Sequence, residues 1–200
     1  MAWQLGKARP SFCATTDLRI HGTPISELPG DVGRCYAGAV KIGVISDTHG
    51  RLDPRIVPLF EGVEHILHAG DIGTNGIIEQ LETVAPVTAV IGNMDWSVPY
   101  RLFERREFGG RKFLMTHQVG DPGAPLREVR EKVATEKPDV VVFGHTHVMY
   151  AERHNGVLFF NPGSAGKRKA GQPLSLARIE IQNGKLDWEF IDLDKLWRKG

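Results

Sequence analysis

The strongest constraint on how this chain can fold is where its apolar runs stop. Residues 40–45 lead into Ser46-Asp47-Thr48-His49-Gly50, and residues 66–69 lead into Gly70-Asp71. Residues 87–91 lead into Gly92-Asn93-Met94-Asp95, residues 112–115 into Thr116-His117, and residues 140–143 into Gly144-His145-Thr146-His147. Short apolar runs bounded by turn residues read as buried strands. In an open α/β sheet the ligand crevice lies outside the carboxyl ends of the strands. Asp47, His49, Asp71, Asn93, His117, His145 and His147 are therefore expected to converge on one place.

The segments between these runs have helical spacing. Asp53-Pro54 is a helix start, and a helix is expected over residues 55–60. Thr74 or Asn75 caps another that runs to about residue 83, and Leu126, Val129 and Val133 define a third over residues 125–136. Strands at about residues 102–108 and 112–116 flank the hairpin signal Gly109-Gly110. Beyond residue 147 the helical spacing ceases, and Asn155-Gly156 and Asn183-Gly184 each separate two strand-like stretches. A β-α-β-α-β beginning and an antiparallel end indicate one α/β domain over residues 40–200. It would hold a mixed sheet or two packed sheets, with helices outside. Residues 1–39 show no sustained period and read as a poorly ordered N-terminal extension. Because a full strand starts at Val40, translation is expected to begin naturally there.

A net charge of +1 advertises no polyelectrolyte partner. Lys167-Arg168-Lys169 is the one short basic run, read as a solvated loop with phosphate contact as the alternative. Cys13 and Cys35 cannot form a disulfide framework, which fits a reducing cytoplasm. No run approaches the roughly 18 apolar residues of a membrane span.

Taken singly, the seven residues have ordinary explanations: Asp47 as a cap, Asp71 and Asn93 as turn residues, His117 as a core histidine. Five strand ends supplying such residues together are not explained that way. The set offers imidazoles, carboxylates and an amide oxygen but no sulfur. So many imidazoles point away from Mg or Ca and toward Mn, Fe, Zn, Ni or Co. The donors are too many for one ion and suit two, if one carboxylate bridges. A pair of cations about 3.5–4 Å apart is a device for clamping a phosphoryl group. His21, His65, His68 and His154 fall outside the pattern and read as structural.

Asp47-Thr48-His49, Gly70-Asp71, Gly92-Asn93-Met94-Asp95, Thr116-His117 and Gly144-His145-Thr146-His147 together resemble the ordered signature of the calcineurin-like metallophosphoesterases. Asn161-Pro162-Gly163-Ser164 is similar to a turn in their small prokaryotic phosphodiesterase branch. The resemblance implies a four-layer αββα sandwich with two mixed sheets, and a dinuclear centre with manganese as the first choice of metal. It implies that Asp47, His49 and His147 hold one cation, that Asn93, His117 and His145 hold the other, and that Asp71 bridges them. A metal-bound hydroxide would attack phosphorus in line. Asp71, Asn93 and Asp95 would carry catalysis, Asp95 by orienting its neighbours, and Asn93, Gln118 and Ser164 would contact a small phosphate-ester substrate. Two departures stand out. Met94 occupies a place where many members have histidine, so no proton donor stands there. Gln118-Val119 replaces a common Gly-His, and Gln118 is expected to substitute by hydrogen bonding. A protein-interaction scaffold of the same fold and a nuclease are the alternatives. The resemblance also allows a homodimer.

Overall fold

The structure, a computed structural model, describes residues 19–20, 23–24, 38–96 and 98–198. Most of the expected extension, with Cys13, His21 and Cys35, lies outside the described residues. Within it Arg19–Ile20 (β1) and Thr23–Pro24 (β2) pair antiparallel, in a unit, Met1–Cys35, distinct from Tyr36–Gly200. The second unit is built on two sheets.

Its first sheet contains β3 (Val40–Ile45), β4 (His65–His68), β5 (Val87–Ala89), β13 (Ser175–Gln182) and β14 (Lys185–Asp192), in the order β14-β13-β3-β4-β5. Its second contains β6 (Phe103–Phe108), β7 (Arg111–Thr116), β10 (Val140–Val142), β11 (Met149–His154) and β12 (Val157–Pro162), in the order β11-β12-β10-β7-β6. Both sheets are mixed. β3 runs parallel to β4 and β4 to β5, whereas β13 lies antiparallel to β3. β10 is parallel to both β7 and β12.

Three apolar clusters show how the layers stack. Ile42, Val44, Leu67, Ala177 and Ile179 of the first sheet meet Phe113, Met115, Val140, Val142 and Phe160 of the second. The other face of the first sheet, with Ile45 and Ile66, packs on Phe60 and on Ile77, Ile78 and Leu81 of α1 (Asn75–Glu82). The other face of the second, with Leu114, Val141 and Phe159, packs on Val129 of α2 (Arg127–Glu136). The result is the expected αββα sandwich. Val140, Val141 and Val142 are fully buried because β10 is covered on both faces, which accounts for an unbroken apolar run. Burying each large apolar side chain here contributes about 1.5–3 kcal/mol.

Three local expectations are corrected. The segment after Asp53-Pro54 is not an α-helix; it turns and then forms a 3-10 turn over Val57–Phe60. Pro58 lacks a donor and disfavours the α region at Val57. The third helix starts at Arg127 rather than residue 125, because Gly120–Asp121 (β8) and Ala124–Pro125 (β9) form a small hairpin. Leu126 is accordingly exposed, not part of the helix's buried face. Finally, the chain does not end in strands: α3 (Leu193–Trp197) follows β14, its first turn held by the Asp192 carboxylate accepting from the Lys195 N–H at 2.9 Å. Among the described residues no helix is long and apolar enough to cross a membrane.

Candidate metal centre

The loops after β3, β4, β5, β7 and β10 meet at one edge of the sandwich. Backbone bonds tie them together: Asp47 N–H to Gly70 O at 3.0 Å, His49 N–H to Asp71 O at 2.8 Å, and Gly144 N–H to His117 O at 3.1 Å. Asp47, His49, Asp71, His145 and His147 all sit in the left-handed region, with φ of 55°, 47°, 51°, 67° and 61°. Non-glycine residues seldom adopt it, and each such residue stores about 1–3 kcal/mol that its surroundings must offset. Glycines make the approach possible. A Cβ on Gly92 would collide with Asp71, and one on Gly144 with Ser46 and Asp47.

Asp47 is fully buried. Its Oδ2 accepts from the His145 N–H at 3.1 Å, while Oδ1 has no hydrogen-bond partner. That oxygen lies 3.1 Å from His147 Nε2 and 3.9 Å from His49 Nε2, and the two Nε2 atoms are 3.4 Å apart. A buried carboxylate oxygen without a hydrogen-bond partner is costly, and two ring nitrogens face this one.

A second group forms beside the first. Asp71 Oδ1 accepts from the Met94 N–H at 2.8 Å, which leaves Oδ2 at 3.5 Å from His117 Nε2 and 3.7 Å from His49 Nε2. His117 Nδ1 donates to Ala69 O at 2.8 Å, so in the neutral ring the free lone pair is on Nε2, facing the site. Asn93 Oδ1 stands 3.1 Å from that Nε2, 2.9 Å from His145 Nδ1 and 2.9 Å from Gln118 Nε2. The atoms offered by Asp47, His49 and His147 lie within 4.8 Å of one another, as do those of Asp47, Asp71 and His117. Nitrogen and oxygen donors thus converge in two adjoining sets around an orphaned carboxylate oxygen, which fits divalent transition-metal cations.

The charges respond accordingly. Burial pushes the His49 ring below its usual value despite Asp71 and Asp47, and burial with the neighbouring His117 does the same to His145. For His117 burial is outweighed by the bond to Asp71 and the charge of Asp47, and the ring is raised. For Asp71 burial is outweighed by bonds from His117 and the Met94 N–H, and the carboxyl is lowered.

Gln118 joins the cluster, but two expected residues stand apart from it. Asp95 accepts from the N–H groups of Ile72, Gly73 and Gly92 at 3.1, 2.8 and 2.9 Å, pinning the loops that carry Asp71 and Asn93. Ser164 is buried, and its hydroxyl lies 3.0 Å from Asp47 O and 2.7 Å from Lys167 O. Its hydroxyl ties the loop after β3 to the Ser164–Lys167 turn. Other supports escaped the sequence reading. Asn161 donates to Gly144 O at 2.7 Å and Thr146 Oγ1 at 3.0 Å, and Lys169 Nζ donates to Thr146 O at 3.1 Å, so both hold the His145–His147 turn. His68 behaves as the structural histidine expected, with Thr48 Oγ1 at 3.0 Å from Nε2 and the Gly70 N–H at 3.3 Å from Nδ1. The motif turn Asn161-Pro162-Gly163-Ser164 was the one signal for Asn161; the basic run Lys167-Arg168-Lys169 marked Lys169, but not its bond to the Thr146 carbonyl.

Comparison with known proteins gives the same direction. Residues 40–184 match the model of the calcineurin-like phosphoesterase superfamily domain. A protein of Methanothermobacter thermautotrophicus named a probable metallophosphoesterase is 34% identical over 160 residues, covering 75% of this chain and 91% of its own. Phosphodiesterase YfcE of Escherichia coli K12 is 28% identical over 169 residues, covering 70% of this chain and 88% of its own. Among solved structures, a Streptococcus pneumoniae TIGR4 protein described as a predicted phosphoesterase superposes with a TM-score of 0.64 at 27% identity, covering 78% of this chain and 91% of that one.

Proposed function

The chain belongs to the calcineurin-like phosphoesterase superfamily, and from that premise we propose that it is a hydrolase of phosphodiesters working at a two-cation centre. The observation that carries this reading is the orphaned Asp47 Oδ1 among facing imidazoles, beside the Asp71 Oδ2 set between His49 and His117. Asp47, His49 and His147 would hold one cation, Asn93, His117 and His145 the other, and Asp71 both. Manganese is the first choice, with nickel, iron, zinc or cobalt as alternatives. When bound, such cations supply water activated near neutral pH and charge neutralisation at the phosphoryl oxygens.

The chain's own residues fix the rest. The Met94 N–H holds one oxygen of Asp71, so the other is free to face both donor sets. The His145 N–H holds Asp47 in the same manner. Asn93 and His145 are exposed, so the centre opens to solvent on their side, and Gln118 sits between them with an amide able to contact a substrate oxygen. Met94 cannot protonate a departing alkoxide. Esters whose alcohol leaves without a proton donor are therefore favoured.

The test is hydrolysis of a nitrophenyl phosphodiester against the monoester, after chelation and reloading with Mn, Ni or Mg. The diester is expected to be the better substrate. Failure to turn over either ester with any cation overturns the enzyme reading. Asp71→Asn is expected to lose rate and cation retention together, and full activity in that variant overturns the bridging role.

A further inference from the structure

A pocket of about 100 Å³ opens on the solvent side of the cluster, and Asn93, His117 and Gln118 form its inner wall. Ile91, Leu102 and Glu128 lie on its outer side. Backbone pairing brings the two sides together. The Ile91 N–H bonds Arg101 O at 2.9 Å, which ties the segment before β6 to the turn that carries Asn93. Phe103 then pairs with Thr116, so Leu102, one residue earlier, comes level with His117, one residue later. Phe103 also lines the pocket, but it packs on the α2 side of the sheet and its ring carries Lys132 Nζ at 5.8 Å. Leu102 has no such commitment. It is 64% exposed while lining a pocket that shares three residues with the centre.

The surroundings have the same character. Among the described residues the exposed large apolar side chains are those of Met94, Trp96, Leu102, Leu126, Trp188 and Leu196. The first four belong to segments that carry or adjoin the inner wall. Met94 and Trp96 follow Asn93 in the chain, and the Leu126 N–H bonds Val119 O at 2.9 Å, next to Gln118. Single exposed apolar residues mean little, but a group around one mouth marks a contact surface. Among the described residues no lysine or arginine lines the pocket, and its charged residue outside the cluster is the acid Glu128. Lys132 Nζ, over the Phe103 ring, is also 4.0 Å from Glu136. A second anionic group on a substrate would find no counter-charge lining this pocket. Taken in units of the roughly 30 Å³ of a water molecule, the volume admits about three or four non-hydrogen atoms.

We propose that this pocket receives one ester arm of the substrate: a short, uncharged, apolar group held against Leu102 while the phosphate lies at Asn93 and Gln118. The substrate class is then a diester with at least one small alkyl arm and no second anionic group, and Leu102 is a residue that sets this specificity. The proposal rests on the phosphodiesterase reading and adds the substrate class to it.

The first experiment needs no cation: the backbone amides of the metal-free protein are followed by NMR during titration with the neutral esters trimethyl phosphate and tripropyl phosphate. Burying a methylene is worth about fourfold in affinity, so the propyl ester is expected to bind about fivefold more tightly or better. The amides of Leu102 and Gln118 are expected to shift. Leu102→Ser is expected to erase the preference, and Leu196→Ser, at an exposed leucine of α3, to keep it; thermal melting verifies that both variants fold. Absence of tripropyl phosphate binding, shifts confined to other regions, or an equal preference in Leu102→Ser overturns the pocket. The second experiment uses the cation-loaded enzyme hydrolysing methyl nitrophenyl phosphate, with dimethyl phosphate and dipropyl phosphate as competitors. Dipropyl phosphate is expected to have an inhibition constant lower by about fivefold or more. Equal constants overturn the pocket and leave the phosphodiesterase reading standing. Tripropyl phosphate binding without turnover of the nitrophenyl ester on any cation overturns the phosphodiesterase reading, and with it the pocket's role toward substrate.

Discussion

At the scale of single residues, Met94 is the most informative departure from the family pattern. Its backbone is indispensable to the site, since the N–H holds Asp71 Oδ1 at 2.8 Å, but its thioether is 52% exposed and chemically idle. Met94→His keeps the backbone bond and adds a proton donor at the open side. General acids contribute about 10²–10⁴-fold when well placed, and this one is unrefined. We expect kcat on alkyl phosphodiesters to rise by about tenfold, with little change on nitrophenyl esters, as measured by steady-state kinetics on both. Equal effects on both esters would contradict the leaving-group argument. The convergence of the cluster was legible because residue type and position agree: Asp, His and Asn directly after buried strands. The backbone partners of Ser164, Asp47 O and Lys167 O, were not legible, because a motif says that a hydroxyl is near the site, not which way it faces. Lys169 stood out only as part of a basic run; its bond to Thr146 O joins residues far apart in the sequence, with no local pattern to mark it.

At the scale of elements, the strand-end turns are where the chain gives up stability for function. His147 at φ 61° is a strained, half-buried residue whose ring faces Asp47 Oδ1 at 3.1 Å. His147→Gly removes the strain at the cost of unfolded-state entropy. We expect the metal-free protein to gain about 1 kcal/mol in urea unfolding while cation binding falls sharply in a metal titration. A loss of stability in the metal-free variant would show that the turn is not strained. Strands were easy to read where an unbroken apolar stretch marks them, as Val140–Val142 does in β10. The segment over Val57–Phe60 was misjudged because an Asp-Pro start was given more weight than the second proline. The hairpin of β8 and β9 and the five residues of α3 are too short to show a period at all.

At the scale of the whole molecule, the buried His68 links stability to pH. Its ring is fully buried, and burial pushes its pKa down to about 4 from 6.5. The unfolded chain therefore takes up this proton at a higher pH than the folded one. The contribution is intact above about pH 6.5 and is lost as pH falls toward 4, amounting to about 3 kcal/mol. Urea midpoints of metal-free protein at pH 7 and 4.5 measure it. His68→Gln, which can still donate to Thr48, is expected to be weaker at pH 7 but to lose less on acidification. Equal losses in both proteins would refute the assignment. The layering was legible only in outline, because a choice between one mixed sheet and two depends on which strands pair, and pairing is not written in any one segment.

The seven proposed donors come from both sheets. Asp47, His49, Asp71 and Asn93 follow strands of the first sheet, and His117, His145 and His147 follow strands of the second. In the proposed assignment neither sheet alone presents a full set for even one cation. A chain whose sheets have not yet docked would hold only two halves of a clasp, and could not close on metal early in folding. Once closed, the clasp would rivet the sheets at one edge, and any slip of one sheet past the other would first have to open it.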